Sequence, residues 1–137
     1  MKTGTNIIIS LAVLLLLVIF TVSSWGQSSY VIGIDSKEGI GNYLVDSNGM
    51  TLYILKRDSQ GKSTCTGECT AMWRPYYSEN KSVPSGLAES DLLVISRDDN
   101  KKQITYKGMP LYYFAGDKKP GDTKGYGVYN IWFPASP

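Results

Sequence analysis

The sequence predicts an all-β domain: two pseudo-symmetric copies of a strand-plus-hairpin unit forming one small antiparallel sandwich or barrel, preceded by an N-terminal signal helix. Three observations carry that expectation. The phrase "GMTLYILKRD" at 49–58 returns as "GMPLYYFAGD" at 108–117. Apolar runs of strand length alternate with turn residues. The opening stretch reads as an export signal.

That opening stretch, residues 1–26, has a basic start at Lys2, an apolar run from Ile7 to Val22, and a small-x-small end at Ser24-Trp25-Gly26. A membrane-spanning helix needs about 20 apolar residues, so the shorter run 7–22 fits a cleaved signal peptide better than a retained anchor. With no cysteine near the cleavage point, a bacterial-type lipid anchor has no attachment atom. The expected localisation is secreted or extracytoplasmic, at the cell envelope, with membrane contact only through residues 7–22 if they are retained. Residues 27–137 then form a single all-β domain, with copies at about 30–77 and 90–137.

Duplication rests on a gapless realignment of residues 49–75 on 108–134. It pairs Gly49 with Gly108, Met50 with Met109, Leu52 with Leu111, Tyr53 with Tyr112, Asp58 with Asp117, Thr64 with Thr123, Trp73 with Trp132 and Pro75 with Pro134. Random pairing over that length would give about two identities.

Within the copies, "YVIGID" at 30–35 and "LLVIS" at 92–96 are β-branched strand runs, followed by "NYLVD" and "QITY". Asn48-Gly49 and Lys107-Gly108 close these runs as hairpin turns; Asn-Gly is the stronger type I′ signal because both central residues need positive φ. In the repeated phrase, Met109, Leu111 and Tyr113 alternate with Tyr112 and Phe114, as Met50, Leu52 and Ile54 do with Tyr53 and Leu55. Apolar residues on both faces predict an interior strand, and Pro110 argues against it because proline prefers an edge.

Asp58 and Asp117 are expected to open the next turns, "DSQG" and "DKKPG", with carboxylates accepting downstream N–H groups. Trp73 and Trp132 read as repeat core, each with a proline two residues on to end its strand. Met50 and Met109 read as core residues rather than a soft copper pair.

Composition narrows the chemistry. The chain has 137 residues, a formal net charge of +2 and no histidine. Imidazole base chemistry, Ser-His-Asp and Cys-His nucleophiles, His-ligated haem and the usual zinc sites are therefore excluded. No Lys/Arg cluster offers a nucleic-acid footprint. No catalytic residue, metal site or cofactor is assigned. Cys65 and Cys69, in "CTGEC", are predicted to form a small disulfide loop contributing roughly 2 kcal/mol. Their spacing fits neither C-x-x-C-H nor C-x-x-C.

Together these residues resemble the secreted-repeat family of unknown function, exported lipoproteins with a Y-x-[FWY]-x-x-D motif. Tyr112, Phe114 and Asp117 match that motif fully; Tyr53 and Asp58 match it with Leu55 in place of the aromatic. "GMTLY", Cys65-Gly67-Cys69 and Trp73 resemble its flanking segments, with Arg74 interrupting the family's Trp-Pro-Pro. The resemblance implies an exported paired-repeat domain and carries no reaction.

The expected function is a noncatalytic domain that binds a ligand or partner at the envelope: an envelope protein, a glycan or a small ligand. Ten tyrosines, with Tyr76, Tyr77, Tyr126 and Tyr129 in loop-like contexts, are the candidate contacts. The alternative is an extracytoplasmic redox or metal accessory protein using the CTGEC loop. A hydrolase would have only Asp and Ser residues without a base. Structural work accounts for every repeated residue, so function is expected where the copies differ: the CTGEC loop, Tyr113 and Phe114, and "GYGVYN".

Overall fold

The computed structural model describes residues 30–137; the predicted signal segment 1–26 and the anchor alternative over 7–22 lie outside the described residues. The first copy contributes β1 (Ile32–Lys37), β2 (Gly41–Asp46), β3 (Tyr53–Leu55), one helical turn α1 (Cys69–Met72) and β4 (Trp73–Pro75). The second contributes β5 (Leu92–Ser96), β6 (Lys102–Tyr106), β7 (Met109–Pro110), β8 (Tyr112–Phe114) and β9 (Trp132–Pro134). All pairing is antiparallel, as expected. β1-β2 and β5-β6-β7 are outer sheets, and the central sheet runs β4-β8-β3-β9. The central sheet ends on β4 and β9, so of the two predicted closures the barrel is not the one formed.

The central sheet is assembled by strand exchange. Tyr53 of β3 lies opposite Tyr112 of β8, its own repeat equivalent. β4 of the first copy pairs with β8 of the second, Trp73↔Phe114 through Pro75↔Tyr112. β9 of the second copy pairs with β3 of the first in the same register, Tyr53↔Pro134 through Leu55↔Trp132. Neither copy holds two adjacent strands of this sheet.

Each chain passes from its outer hairpin into the central sheet at a fully buried leucine, Leu52 or Leu111. Three backbone bonds close a ring at each crossing. Leu52 N–H donates to Leu44 O at 3.0 Å, Leu44 N–H to Ala135 O at 2.8 Å, and Ala135 N–H to Leu52 O at 2.8 Å. Leu111, Ile104 and Tyr76 repeat it with bonds of 3.0, 2.8 and 2.9 Å. These rings satisfy buried peptide groups where the chain leaves one ladder for another.

The crossing also explains Pro110. Proline lies in the two-residue β7, opposite Thr105 at the margin of the outer sheet, and the bend at Leu111 separates it from interior β8.

Period-two alternation distributes the apolar side chains as expected. Ile32, Leu44 and Leu52 meet Leu92, Ile104 and Leu111 in one cluster, with Ile54 and Tyr113 packed against it. Tyr53, Leu55, Trp73, Tyr112 and Trp132 form the other with Cys65, and Phe114 packs there. Each aliphatic chain buried this way contributes about 1.5–3 kcal/mol.

The hairpin turns reverse the expected ranking. Lys107 (φ 48°) and Gly108 (φ 83°) both adopt positive φ between Tyr106 and Met109, the two-residue primed turn. In the first copy only Gly49 (φ 82°) does so. There Asp46 Oδ1 accepts from Asn48 N–H at 2.8 Å and Met50 N–H at 2.9 Å, which stabilises a loop one residue longer. β1 starts two residues later than predicted, after Val31 N–H bonds Ser82 O at 2.8 Å.

Candidate functional site

The motif residues meet across the pseudo-twofold axis rather than within a copy. Tyr53 donates its hydroxyl to Asp117 Oδ2 at 2.7 Å, and Tyr112 donates to Asp58 Oδ2 at 2.5 Å. Both rings are fully buried. Burial, then the neighbouring carboxylate, holds both phenols well above their usual range, so each remains a proton donor. Burial likewise pushes the Asp117 carboxyl up.

The carboxylates do not open the next turn as predicted. Asp58 N–H and Asp117 N–H end the turns begun by Leu55 O and Phe114 O, and the following turns start at Ser59 and Lys119. Each carboxylate instead reaches further downstream. Asp58 Oδ1 takes the Thr64 N–H at 2.7 Å and hydroxyl at 2.8 Å, and Asp117 Oδ1 takes Lys124 N–H at 2.9 Å. Every Asp therefore ties its own loop to the other copy's strand.

Trp73 and Trp132 are core, as expected. Their rings stack on each other, 3.8 Å between centroids and 2° from parallel. Tyr53 meets Trp73 edge-on at 5.4 Å and Tyr112 meets Trp132 at 5.1 Å. Phe114, with no aromatic equivalent in the first copy, stacks on Trp73 at 4.5 Å.

Cys65 and Cys69 are joined in a disulfide. Cys65 is buried against Trp73 while Thr66, Gly67 and Glu68 are exposed. The link anchors α1, which runs directly into β4. Val128 packs at the corresponding place in the second copy.

A cleft of about 400 Å³ lies between this helical turn and the β2–β3 loop. Thr70, Ala71 and Met72 form one wall, Asn48 and Met50 the other, with Arg74, Tyr113 and Phe114 between them. The Arg74 guanidinium lies 4.4 Å over the Tyr113 ring, a cation–π arrangement. Tyr113 donates its hydroxyl to Asp46 Oδ2 at 2.6 Å. Asp46 and Asp117 also border the cleft. Met50 lines it; Met109 is not among its lining residues and stands in β7, opposite Tyr106.

The predicted contact tyrosines are not brought together there. Tyr76 is buried, with its hydroxyl donating to Val31 O at 2.6 Å and its ring edge-on to Tyr113; it is a core residue, because the backbone ring at Leu111 draws it inward. Tyr77, Tyr126 and Tyr129 are exposed. Tyr77 lies near Lys102 and Tyr126 against Phe133, away from the cleft lining. "GYGVYN" supplies no lining residue: a Cβ on its Gly125 would approach Tyr53 and Trp73 within 3 Å, so this glycine admits the aromatic core.

Three residues that work here were not singled out as site residues: Arg74, Asp46 and Arg97. Arg74 left a trace, as the residue interrupting the Trp-Pro-Pro pattern, and Phe133 is its counterpart. Buried Arg97 donates to Ser63 Oγ, Gln103 Oε1 and Cys65 O, each at 2.7 Å, and Ser63 Oγ bonds the Tyr112 hydroxyl at 2.6 Å. Nothing local marks an arginine at a strand end as buried. Among the described residues no helix is long and apolar enough to cross a membrane.

A family model described as "secreted repeat of unknown function" matches twice, over residues 36–76 and 93–136, together more than half of the chain. Neither a curated protein nor a solved structure matches it.

Proposed function

This chain belongs to the family of secreted repeats of unknown function, and we propose that it acts at the cell envelope as a noncatalytic domain whose ligand or partner occupies the cleft beside α1. One observation supports this most. Beside the shared Met50 and Asp117, the cleft is lined by what the copies do not share: the segment after the disulfide, Arg74, and the aromatics Tyr113 and Phe114. At equivalent positions the other half carries Phe133, Ile54 and Leu55, and Lys56 lies 4.3 Å over the Phe133 ring. Duplication builds the scaffold; divergence at one end leaves a recess.

The noncatalytic reading follows from how the polar groups are used. Asp46 accepts from two loop N–H groups and a tyrosine hydroxyl, and Asp117 from one N–H and a tyrosine hydroxyl, so each carboxylate is fixed in place as a hydrogen-bond acceptor, which argues against a proton-transfer role. A pocket of this size falls within the roughly 300–1,000 Å³ typical of small-ligand sites.

Native mass spectrometry of protein purified from its own cell envelope tests the reading. Wild type is expected to carry an adduct that Ala71→Trp, a substitution at an exposed wall position, displaces. Identical spectra for the two proteins would count against the cleft.

A further inference from the structure

Resting on the reading of the cleft as a binding site, we propose that its occupant is a neutral sugar chain. The polar groups around the cleft are of both signs. One guanidinium, Arg74, shares the cleft lining with two carboxylates, Asp46 and Asp117, and the carboxamide of Asn48. Among the described residues the Arg74 guanidinium has no hydrogen-bond or ion-pair partner, only the Tyr113 ring beneath it. Its planar fork is therefore held in place with its N–H donors available.

The carboxylates keep acceptor capacity as well. Asp46 takes three bonds and Asp117 two, against about four lone-pair sites on an ionised carboxylate.

These charges select against ions. A phosphate or carboxylate on the ligand would gain one guanidinium and meet two fixed negative groups; an ammonium would meet Arg74 within the same recess. A hydroxyl suits both signs at once, because it accepts from Arg74 or Asn48 while donating to Asp46. Beside these polar groups stand the partly buried Phe114 ring and Met72, 50% exposed. The aromatic carbons and the thioether offer apolar surface to the C–H face of a pyranose. Vicinal hydroxyls on one side and a C–H face on the other describe a sugar, and about 400 Å³ accommodates a short stretch of a chain rather than a whole polymer.

Backbone-amide NMR titrations of the intact exported protein would test this with three probes: chitotetraose, benzoate and benzylamine. Chitotetraose is expected to shift amides within 46–50, 70–74 and 113–115 and to saturate. Arg74→Ala should weaken it tenfold or more with an unchanged melting temperature, and Arg74→Lys should restore only part of the loss. If benzoate or benzylamine moves those amides while chitotetraose does not, the cleft binds but the sugar assignment is overturned. If none of the three moves them, the sugar assignment fails, and the adduct comparison with Ala71→Trp decides separately whether the cleft binds at all.

Discussion

Tyr112–Asp58 and Tyr53–Asp117 occupy equivalent places across the pseudo-twofold axis, yet their surroundings differ. The first is wired through Ser63 to Arg97, whose side chain is 1% exposed. The second leans on a backbone amide, Gly125 N–H at 3.2 Å. The residue corresponding to Arg97 is Lys37, which stays at the surface and donates to Gly121 O and Thr123 Oγ1, both at 3.0 Å. In each half the base at the end of the first hairpin strand reaches the other copy's post-Asp loop. Duplication fixed which groups meet; later substitution decided whether they meet in water or in the core, and hydrogen bonds to buried charge are the stronger ones.

The sharpest way to break this comparison is at the two bases. Arg97→Met leaves Ser63, Gln103 and the Cys65 carbonyl short of a donor, and should cost about 3 kcal/mol or more. Lys37→Met removes exposed contacts and should cost less than about 1 kcal/mol. Urea unfolding measures both, and equal losses would mean that the two halves are energetically the same.

Next comes the cross-link, which only the first copy has. The double substitution Cys65→Ala with Cys69→Ala should lower stability by about 2 kcal/mol and, by loosening α1, broaden the NMR signals of residues 70–72. Sharp, unmoved signals there would show that packing against Trp73 holds the wall without the disulfide.

At the pairs themselves, Tyr112→Phe should cost about 2 kcal/mol and Tyr53→Phe about 1 kcal/mol, because each leaves a carboxylate short of a donor but only the former also breaks the link through Ser63 to buried Arg97. The reverse order in thermal or urea unfolding would contradict the account of Arg97.

The smallest expected effect is in pH. Burial raises the Asp117 carboxyl above its ordinary value of 3.8. The folded state therefore keeps that proton longer than the unfolded state does. Its contribution is fully present below 3.8 and is lost as pH rises through the higher folded value. Asp117→Asn should remove this decline, so the wild-type advantage over the variant shrinks as pH climbs above 3.8. A constant difference between the two from pH 3 to 6 would contradict it.

Much of the fold was legible because it depends on local patterning. Alternation in "GMPLYYFAGD" placed Tyr112 and Phe114 on one face and Leu111 and Tyr113 on the other, and the Trp-x-Pro segments marked buried indoles on short strands that end in proline. What the pattern could not carry was partner choice. Tyr53 and Asp58 stand in one motif with Asp58 read as a turn residue, and nothing in that motif shows that strand exchange sends each tyrosine to the other copy's carboxylate. The turns show the same limit: Asn48-Gly49 has the better type I′ chemistry, but the Asp46 carboxylate offers its loop a longer solution. Tyr76 looked exposed beside Tyr77 because the backbone ring that buries it joins residues far apart in sequence. The cleft was half visible, in Tyr113, Phe114 and the segment after the disulfide, while Arg74 registered only as a break in a pattern.

The exchange of strands in the central sheet has a consequence for assembly. Every bond that β3 makes to β8 and β9 joins the two halves of the chain, and the halves are connected through the segment 78–88, which contains no strand. The first half of one molecule can therefore offer the second half of another the same register, the same paired indoles and the same tyrosine–carboxylate bonds. Refolded at high concentration, the protein should give reciprocally domain-swapped dimers whose interior is indistinguishable from the monomer's. Shortening the 78–88 connection should raise their share.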